Sequence, residues 1–195
     1  MRIIGGEYKR INLYGPINKK VRPLKDMVRE NIFNFLTHSN KISLQLDKSY
    51  VLDLYSGVGS FGLECLSRRA SKIVFIEREN DAIKILNKNI DKLKVKKKIK
   101  IISGDVFNVI NKSNKNLFDH QQDNKFDLIF CDPPFKDPGA SDLVELIIKK
   151  NLLSKNGIVI LHRHKNSKEK FTDNFKIIEN RVYGLSKIIF GKFLI

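Results

Sequence analysis

Tryptophan is absent from this 195-residue chain, cysteine occurs twice and histidine four times. Cys65 and Cys131 are too few and too far apart to staple a small fold or to build a zinc site, and both fall in apolar segments that read as core. His162 and His164 flank Arg163 just past an expected strand, with no cysteine or paired carboxylates beside them, so a solvated loop and no metal are predicted there. No apolar run is long enough to span a bilayer, and Met1-Arg2-Ile3-Ile4-Gly5-Gly6 lacks a signal peptide's apolar core; a cytoplasmic protein without a membrane partner is expected. Acidic side chains are scarce as well, 21 against 37 basic ones, for a net charge of +16. A surplus of that size commonly marks a polyanion partner, although a chain rich in Lys, Ile and Asn together is also what A/T-rich coding yields whatever the function. The length leaves room for one domain with a small appendage.

Up to about residue 21, short apolar pieces alternate with Gly5-Gly6 and Gly15-Pro16, the pattern of a hairpin or an extended arm. Arg2, Lys9, Arg10, Lys19, Lys20 and Arg22 load it with charge. It is either laid on the main domain or a grip for nucleic acid, and the overall charge favours the grip. From Pro23 the period turns helical: Val28, Ile32, Phe35 and Leu36 form an inward stripe over Lys25 to about His38, leaving Lys25 and Arg29 on a shared outer face. Residues 1–40 thus read as a basic hairpin and helix extension, and 41–195 as the main domain.

In that domain strands alternate with helices. Strands are predicted at Tyr50 to Leu54, Lys72 to Ile76, Ile99 to Ile102 and Phe126 to Cys131, and helices at Leu63 to Arg69, Asp81 to Leu93 and Val106 to Ile110. Ser141 is expected to cap a further helix running to about Lys150. Gly157 to Leu161, Phe175 to Glu179 and Ser186 to Phe193 read as closing strands, the last two antiparallel. The polar stretch Asn111 to Lys125 reads as an exposed loop, and lysine-rich Lys94 to Lys100 as a solvated turn. The pattern is that of an α/β fold with a doubly wound, mostly parallel, seven-stranded sheet.

Asp132-Pro133-Pro134-Phe135 follows the apolar run ending at Cys131, where open α/β sheets place their chemistry. Two prolines give up two backbone donors and stiffen the turn, so that it presents carbonyl oxygens. An acid (Asp132), a carbonyl (Pro133) and an aromatic plate (Phe135) can grip a planar group bearing an NH2, with two acceptors for its hydrogens and one face for stacking. Adenine, cytosine and guanine are such groups. The plain alternative is a strand-ending turn, because Asp-Pro commonly opens one.

Gly57-x-Gly59-x-x-Gly62 satisfies a dinucleotide fingerprint, with Glu77 twenty residues past Gly57 at the next strand's tip to take a ribose hydroxyl pair. That spacing serves NAD and S-adenosylmethionine alike. Asp53 favours the latter: an acid ending the first strand is unfavourable beside a pyrophosphate and favourable beside an ammonium and a sulfonium. Asp105, ending the third strand, adds an acceptor for an adenine amino group. Tyr55, Ser56, Arg78 and Val106, next to these positions, complete the cofactor candidates. Lys136, just past the turn, joins Arg10, Lys20, Arg22, Lys25 and Arg29 as candidates for RNA contact.

These residues resemble a known family, the RsmD-like 16S rRNA guanine-N2 methyltransferases of the class I S-adenosylmethionine-dependent fold. The resemblance runs nearly end to end, through Met1 to Gly6, Arg22-Pro23 with Val28 to Asn34, Val51 to Gly59, Phe61 to Arg68, Asp132 to Phe135 and Tyr183-Gly184. The opening hexapeptide and the Arg22-Pro23 helix are its more specific parts. It implies methylation of the exocyclic N2 of one guanine in 16S rRNA within the assembled 30S subunit. A monomeric enzyme using S-adenosylmethionine is expected. Two readings stand beside it: an adenine-N6 DNA or RNA methyltransferase, which more often has Asn at position 132 and a recognition domain, and a non-catalytic basic RNA-binding module.

Overall fold

The apolar runs with little alternation form the middle of a sheet, as strands covered on both faces must. The computed structural model describes residues 1–16, 24–112 and 125–194. In chain order its elements are α1 (Asp26–His38), β1 (Tyr50–Leu54), α2 (Ser60–Ser67), β2 (Lys72–Glu77), α3 (Asn80–Leu93), β3 (Ile99–Ser103), α4 (Val106–Lys112), β4 (Phe126–Cys131), α5 (Ala140–Lys149), β5 (Leu153–His164), β6 (Phe175–Tyr183) and β7 (Ser186–Phe193). The seven strands make one sheet in the order β3-β2-β1-β4-β5-β7-β6. The first five are parallel, and β7 runs antiparallel to both of its neighbours. The expected α/β sheet is present.

Side chains alternate across the strands, so each face has its own core. Val51, Ile73 and Leu128 pack with α1, α2 and α3, and Leu52, Val74 and Ile129 pack with α4 and α5. From β1 the chain winds through β2 to β3 and then returns to lay β4 on the other side of β1, with Leu54 paired to Cys131. This reversal of winding opens a crevice at the carboxyl ends of β1 and β4, where sheets of this type bind ligands.

The amino-terminal arm is a hairpin laid on the domain. Ile3 N–H donates to Ile11 O at 3.0 Å and Leu13 N–H to Met1 O at 2.9 Å, and Ile3 and Leu13 are buried. Glu64 on α2 accepts from the Ile4 and Gly5 amides at 2.7 and 2.8 Å. Gly6, at φ +80°, passes so close that a Cβ there would lie 1.9 Å from Ser67 O.

Four expectations need correction. Arg29 does not face outward: it is fully buried, bonded to Asp26 at 2.9 Å and to the Arg2 carbonyl, with Glu64 at 3.9 Å. The inward stripe is wider than the sequence period suggested because it includes Arg29 and Phe33. Ser141 does not cap α5, since Gly139 is the N-cap and the helix begins at Ala140. The strand predicted to end at Leu161 continues to His164, which takes His162 and His164 out of the expected solvated loop. β6 also runs on to Tyr183. Residues 113–124 of the polar stretch, together with Lys20 and Arg22, lie outside the described residues.

Candidate active site

The loop after β1 turns back on itself through left-handed residues at Tyr55 (φ 58°), Gly57 (φ 55°) and Gly59 (φ 84°). A Cβ at Gly59 would lie 2.3 Å from Leu86 Cδ1, so glycine is required there for space as well as for φ. Two acids hold the loop from opposite ends. Glu77 Oε2 accepts the Gly57 N–H at 2.6 Å while its Oε1 accepts from Arg78 and Glu79 at 2.8 and 2.9 Å. Asp53, 1% exposed, accepts the Gly62 N–H at 2.9 Å and so fixes the first turn of α2. Burial pushes the Asp53 carboxyl well above its usual range; the Gly62 N–H opposes this, and the nearby Asp132 and Glu77 carboxylates add to it.

The loop forms one wall of a cleft of about 490 Å³, a size that suits a small-molecule cofactor. Tyr55, Gly57, Glu77, Arg78 and Val106 line this wall. Asp53, Ser56, Gly59 and Asp105 do not line it. Asp53 is buried behind the loop and Ser56 and Gly59 are buried within it, and Asp105 Oδ1 accepts the Asn108 N–H at 3.1 Å at the start of α4. Burial, with the Asp137 carboxylate next, pushes the Tyr55 phenol up, so it remains a donor.

The opposite wall is the turn Asp132 to Phe135. Asp132 N–H reaches across the switch point to Leu54 O at 3.3 Å, and Asp137 N–H closes the turn on Pro134 O at 2.8 Å. Side chains from β5 and β7 hold it. His162 Nδ1 lies 2.8 Å from Asp132 Oδ1, and its Nε2 lies 2.8 Å from Ser186 Oγ. The Phe135 ring meets His162 and His164 on edge, at centroid distances of 5.1 and 5.5 Å. Arg163, nearly buried, donates to the carbonyls of Pro134 and Asp137 and to Glu169, which also takes Lys187 at 2.8 Å. Burial alone would raise the Glu169 carboxyl, but hydrogen bonds from Lys187, Arg163 and Ser167 outweigh it and hold the group down at about 2.

All four residues of the turn and five of the nine cofactor candidates therefore share one cleft. Of the basic candidates, Lys25 lies on its rim, Lys136 is exposed beside the turn, and Arg10 is exposed on the arm. Arg29 is sealed inside, too deep for a phosphate. Sequence reasoning missed His162, Arg163, Glu169, Ser186 and Lys187. Their one signal was the polar tail of the strand from Gly157, at the carboxyl end where such sheets keep their chemistry.

The family model described as conserved hypothetical protein 95 matches residues 1–192. Ribosomal RNA small subunit methyltransferase D from Buchnera aphidicola is 31% identical over 163 residues, covering 84% of this chain and 76% of the relative. The protein of the same name from Haemophilus influenzae is 29% identical, covering 95% and 90%. Among solved structures, one described as a methylase from Haemophilus influenzae is 26% identical with a TM-score of 0.75, covering 99% of this chain and 98% of that one. An RNA methyltransferase from Salinibacter ruber in complex with S-adenosyl-L-homocysteine shares the fold at 15% identity and a TM-score of 0.59, covering 87% and 92%.

Proposed function

Because the chain belongs to the family described as conserved hypothetical protein 95, the RsmD-like methyltransferases, we propose that it is an S-adenosylmethionine-dependent rRNA methyltransferase acting on the exocyclic N2 of a guanine in 16S rRNA. The observation that carries this reading is the cleft at the switch point, with a glycine loop on one wall and an acid, a carbonyl and an aromatic plate on the other.

The residues present suit this cofactor. The cleft is about 490 Å³ and carries acids and the polar Tyr55 beside apolar Ile76, Val106 and Phe135, a lining that suits a small polar molecule with a flat base. Glu77, Glu79, Asp81 and Asp132 line the cleft against Lys25 and Arg78, an acid-rich set that favours hydroxyls and cationic centres over phosphates. When bound, S-adenosylmethionine supplies an electrophilic methyl group on a sulfonium. Tyr55, Gly57, Glu77, Arg78 and Val106 would hold it directly. Ser56, Gly59 and Asp105 would shape the loop and its far edge, and Asp53 would act from behind as the anchor of α2.

A stacked base cannot bring its amine to a cleft at the strand ends, so the target nucleotide leaves its stack. Phe135 stacks on it, while Asp132 and the Pro133 carbonyl accept the two amine hydrogens and turn the nitrogen inward; much of the acceleration is positioning. As the nitrogen–methyl bond formed, the methyl–sulfur bond would break and its electron pair would leave with sulfur as a neutral thioether; the cationic amine would then shed a proton to Asp132 or water, so no strong base is needed.

The natural substrate in this reading is the 30S particle, approached by the basic extension 1–40 and Lys136, and the enzyme is a cytoplasmic monomer without a metal. The net charge of +16 supports a polyanion partner. Among the described residues no helix is long and apolar enough to cross a membrane.

The test is incubation with labelled S-adenosylmethionine and 30S particles, naked 16S rRNA or duplex DNA, followed by nucleoside analysis. Label in N2-methylguanosine from the rRNA is expected. Label in N6-methyladenosine would replace the guanine reading, and no label in any arm would contradict the enzyme reading.

A further inference from the structure

The described residues place a histidine beside the acid of the turn, on the cleft's own lining, with both ring nitrogens engaged. We infer that His162 is the positioning residue for Asp132, and that it presents one carboxylate oxygen to the substrate amine by occupying the other. The inference rests on the function proposed above and adds a residue that neither the turn nor the glycine loop contains.

Asp132 follows the end of β4, and its side chain retains 22% of its exposure. An acid so placed on a turn can adopt several rotamers, and only some aim an oxygen into the cleft. His162 removes that freedom. Its side chain is 8% exposed, and Nδ1 and Nε2 lie 2.8 Å from Asp132 Oδ1 and Ser186 Oγ. A carboxylate only accepts, so Nδ1 carries the hydrogen; the Ser186 hydroxyl can then donate to Nε2. Flipping the ring would break both bonds, and the edge-on contact with Phe135 at 5.1 Å blocks it on a third side. Two of the three contacts come from the turn and one from β7, so the ring, itself on β5, is fixed between the turn and the sheet. Asp132 Oδ1 is thereby committed to the protein, and Oδ2 remains for the amine opposite the Pro133 carbonyl. The same ring braces Phe135, so acceptor and stacking plate share one support.

The test compares substitutions that separate hydrogen bonding from packing. His162→Asn keeps a donor near the Nδ1 position, whereas His162→Leu fills the space without one. Single-turnover methyl transfer to 30S particles should fall about a hundredfold in His162→Leu, the scale of an ångström-sized misplacement. His162→Asn should recover to within about tenfold of wild type. Donor affinity by calorimetry and KM for the particle should stay within about threefold in both, so the loss appears in kcat. Nitrogen-15 spectra of the unliganded wild-type protein should show the Nδ1-protonated tautomer, and that signal should shift in Asp132→Ala, a readout independent of turnover. Full activity in His162→Leu, or equal losses in the Leu and Asn variants, would overturn the inference while leaving the proposed function intact. A wild-type protein that transfers no methyl group to rRNA would overturn both.

Discussion

On the wall formed by β1 and β2, acids hold backbone: Asp53 takes the Gly62 amide and Glu77 takes those of Gly57, Arg78 and Glu79. On the wall formed by β4, β5 and β7, side chains reach the turn: His162, held by Ser186, fixes Asp132, while Arg163, held by Glu169 and through it Lys187, donates to the carbonyls that follow. The first wall must keep one shape for a constant cofactor, and amide-to-carboxylate bonds supply it at short range. In the proposed function the second aims an acid and a ring at a substrate, which requires side chains fixed by other side chains. The difference implies that damage to the first wall appears as lost donor affinity, and damage to the second as lost turnover or fold stability.

The largest effect that would sharpen this contrast is expected at Arg163. Arg163→Ala leaves Glu169 with Lys187 as its one cation and frees two carbonyls of the turn, so unfolding should be easier by about 3 kcal/mol, the lower end of the cost of breaking a buried pair. Arg163→Lys should recover little, because an ammonium cannot span three acceptors as a guanidinium does. Chemical denaturation measures both. On the other wall, Glu77→Ala frees the amides of Gly57, Arg78 and Glu79 and loosens the loop that faces the donor. Affinity for S-adenosylmethionine should drop at least tenfold by calorimetry while the protein stays folded; unchanged affinity would break the comparison.

A smaller, pH-dependent effect belongs to Glu169. Its carboxyl sits at about 2 in the fold against an ordinary value of 4.5. The stability it contributes is therefore complete above about pH 4.5 and lost as pH falls toward 2. Thermal unfolding across that window should fall more steeply for wild type than for Glu169→Gln, and parallel curves would remove the cluster from the account of the second wall. The smallest effect lies at the cleft's edge. Lys25→Ala and Lys136→Ala should each lower the slope of log K against log salt for RNA binding by roughly 0.7 to 0.9, with donor affinity unchanged.

The two walls also differ in how far they could be read from the chain. The glycine loop and Glu77 lie within one βαβ unit, where spacing alone carries information, and the alternation of strands with helices follows from alternating periods. The turn announced itself through Asp132 and two prolines. Its support did not, because Asp132 and His162 are 30 residues apart and His162 and Ser186 are 24 apart, pairings that only the laying of β5 beside β4 and β7 creates. Arg29 was misread for a related reason. A charged residue on an amphipathic helix is normally outward, and only the hairpin folding over α1, with Asp26 and Glu64 as partners, makes its burial tolerable. Asp53 was placed correctly at the strand end, but its carboxylate caps α2 instead of entering the cleft.

The most direct measurement is single-turnover methyl transfer by Asp132→Ala on 30S particles, with donor and particle affinities measured on the same preparation. If Asp132 holds the amine only in the reacting complex, both affinities should stay within a few-fold of wild type while the rate falls by orders of magnitude. Asp132→Asn, which keeps one acceptor, should lose less. A wild-type rate in Asp132→Ala would show that this turn is not where methyl transfer occurs.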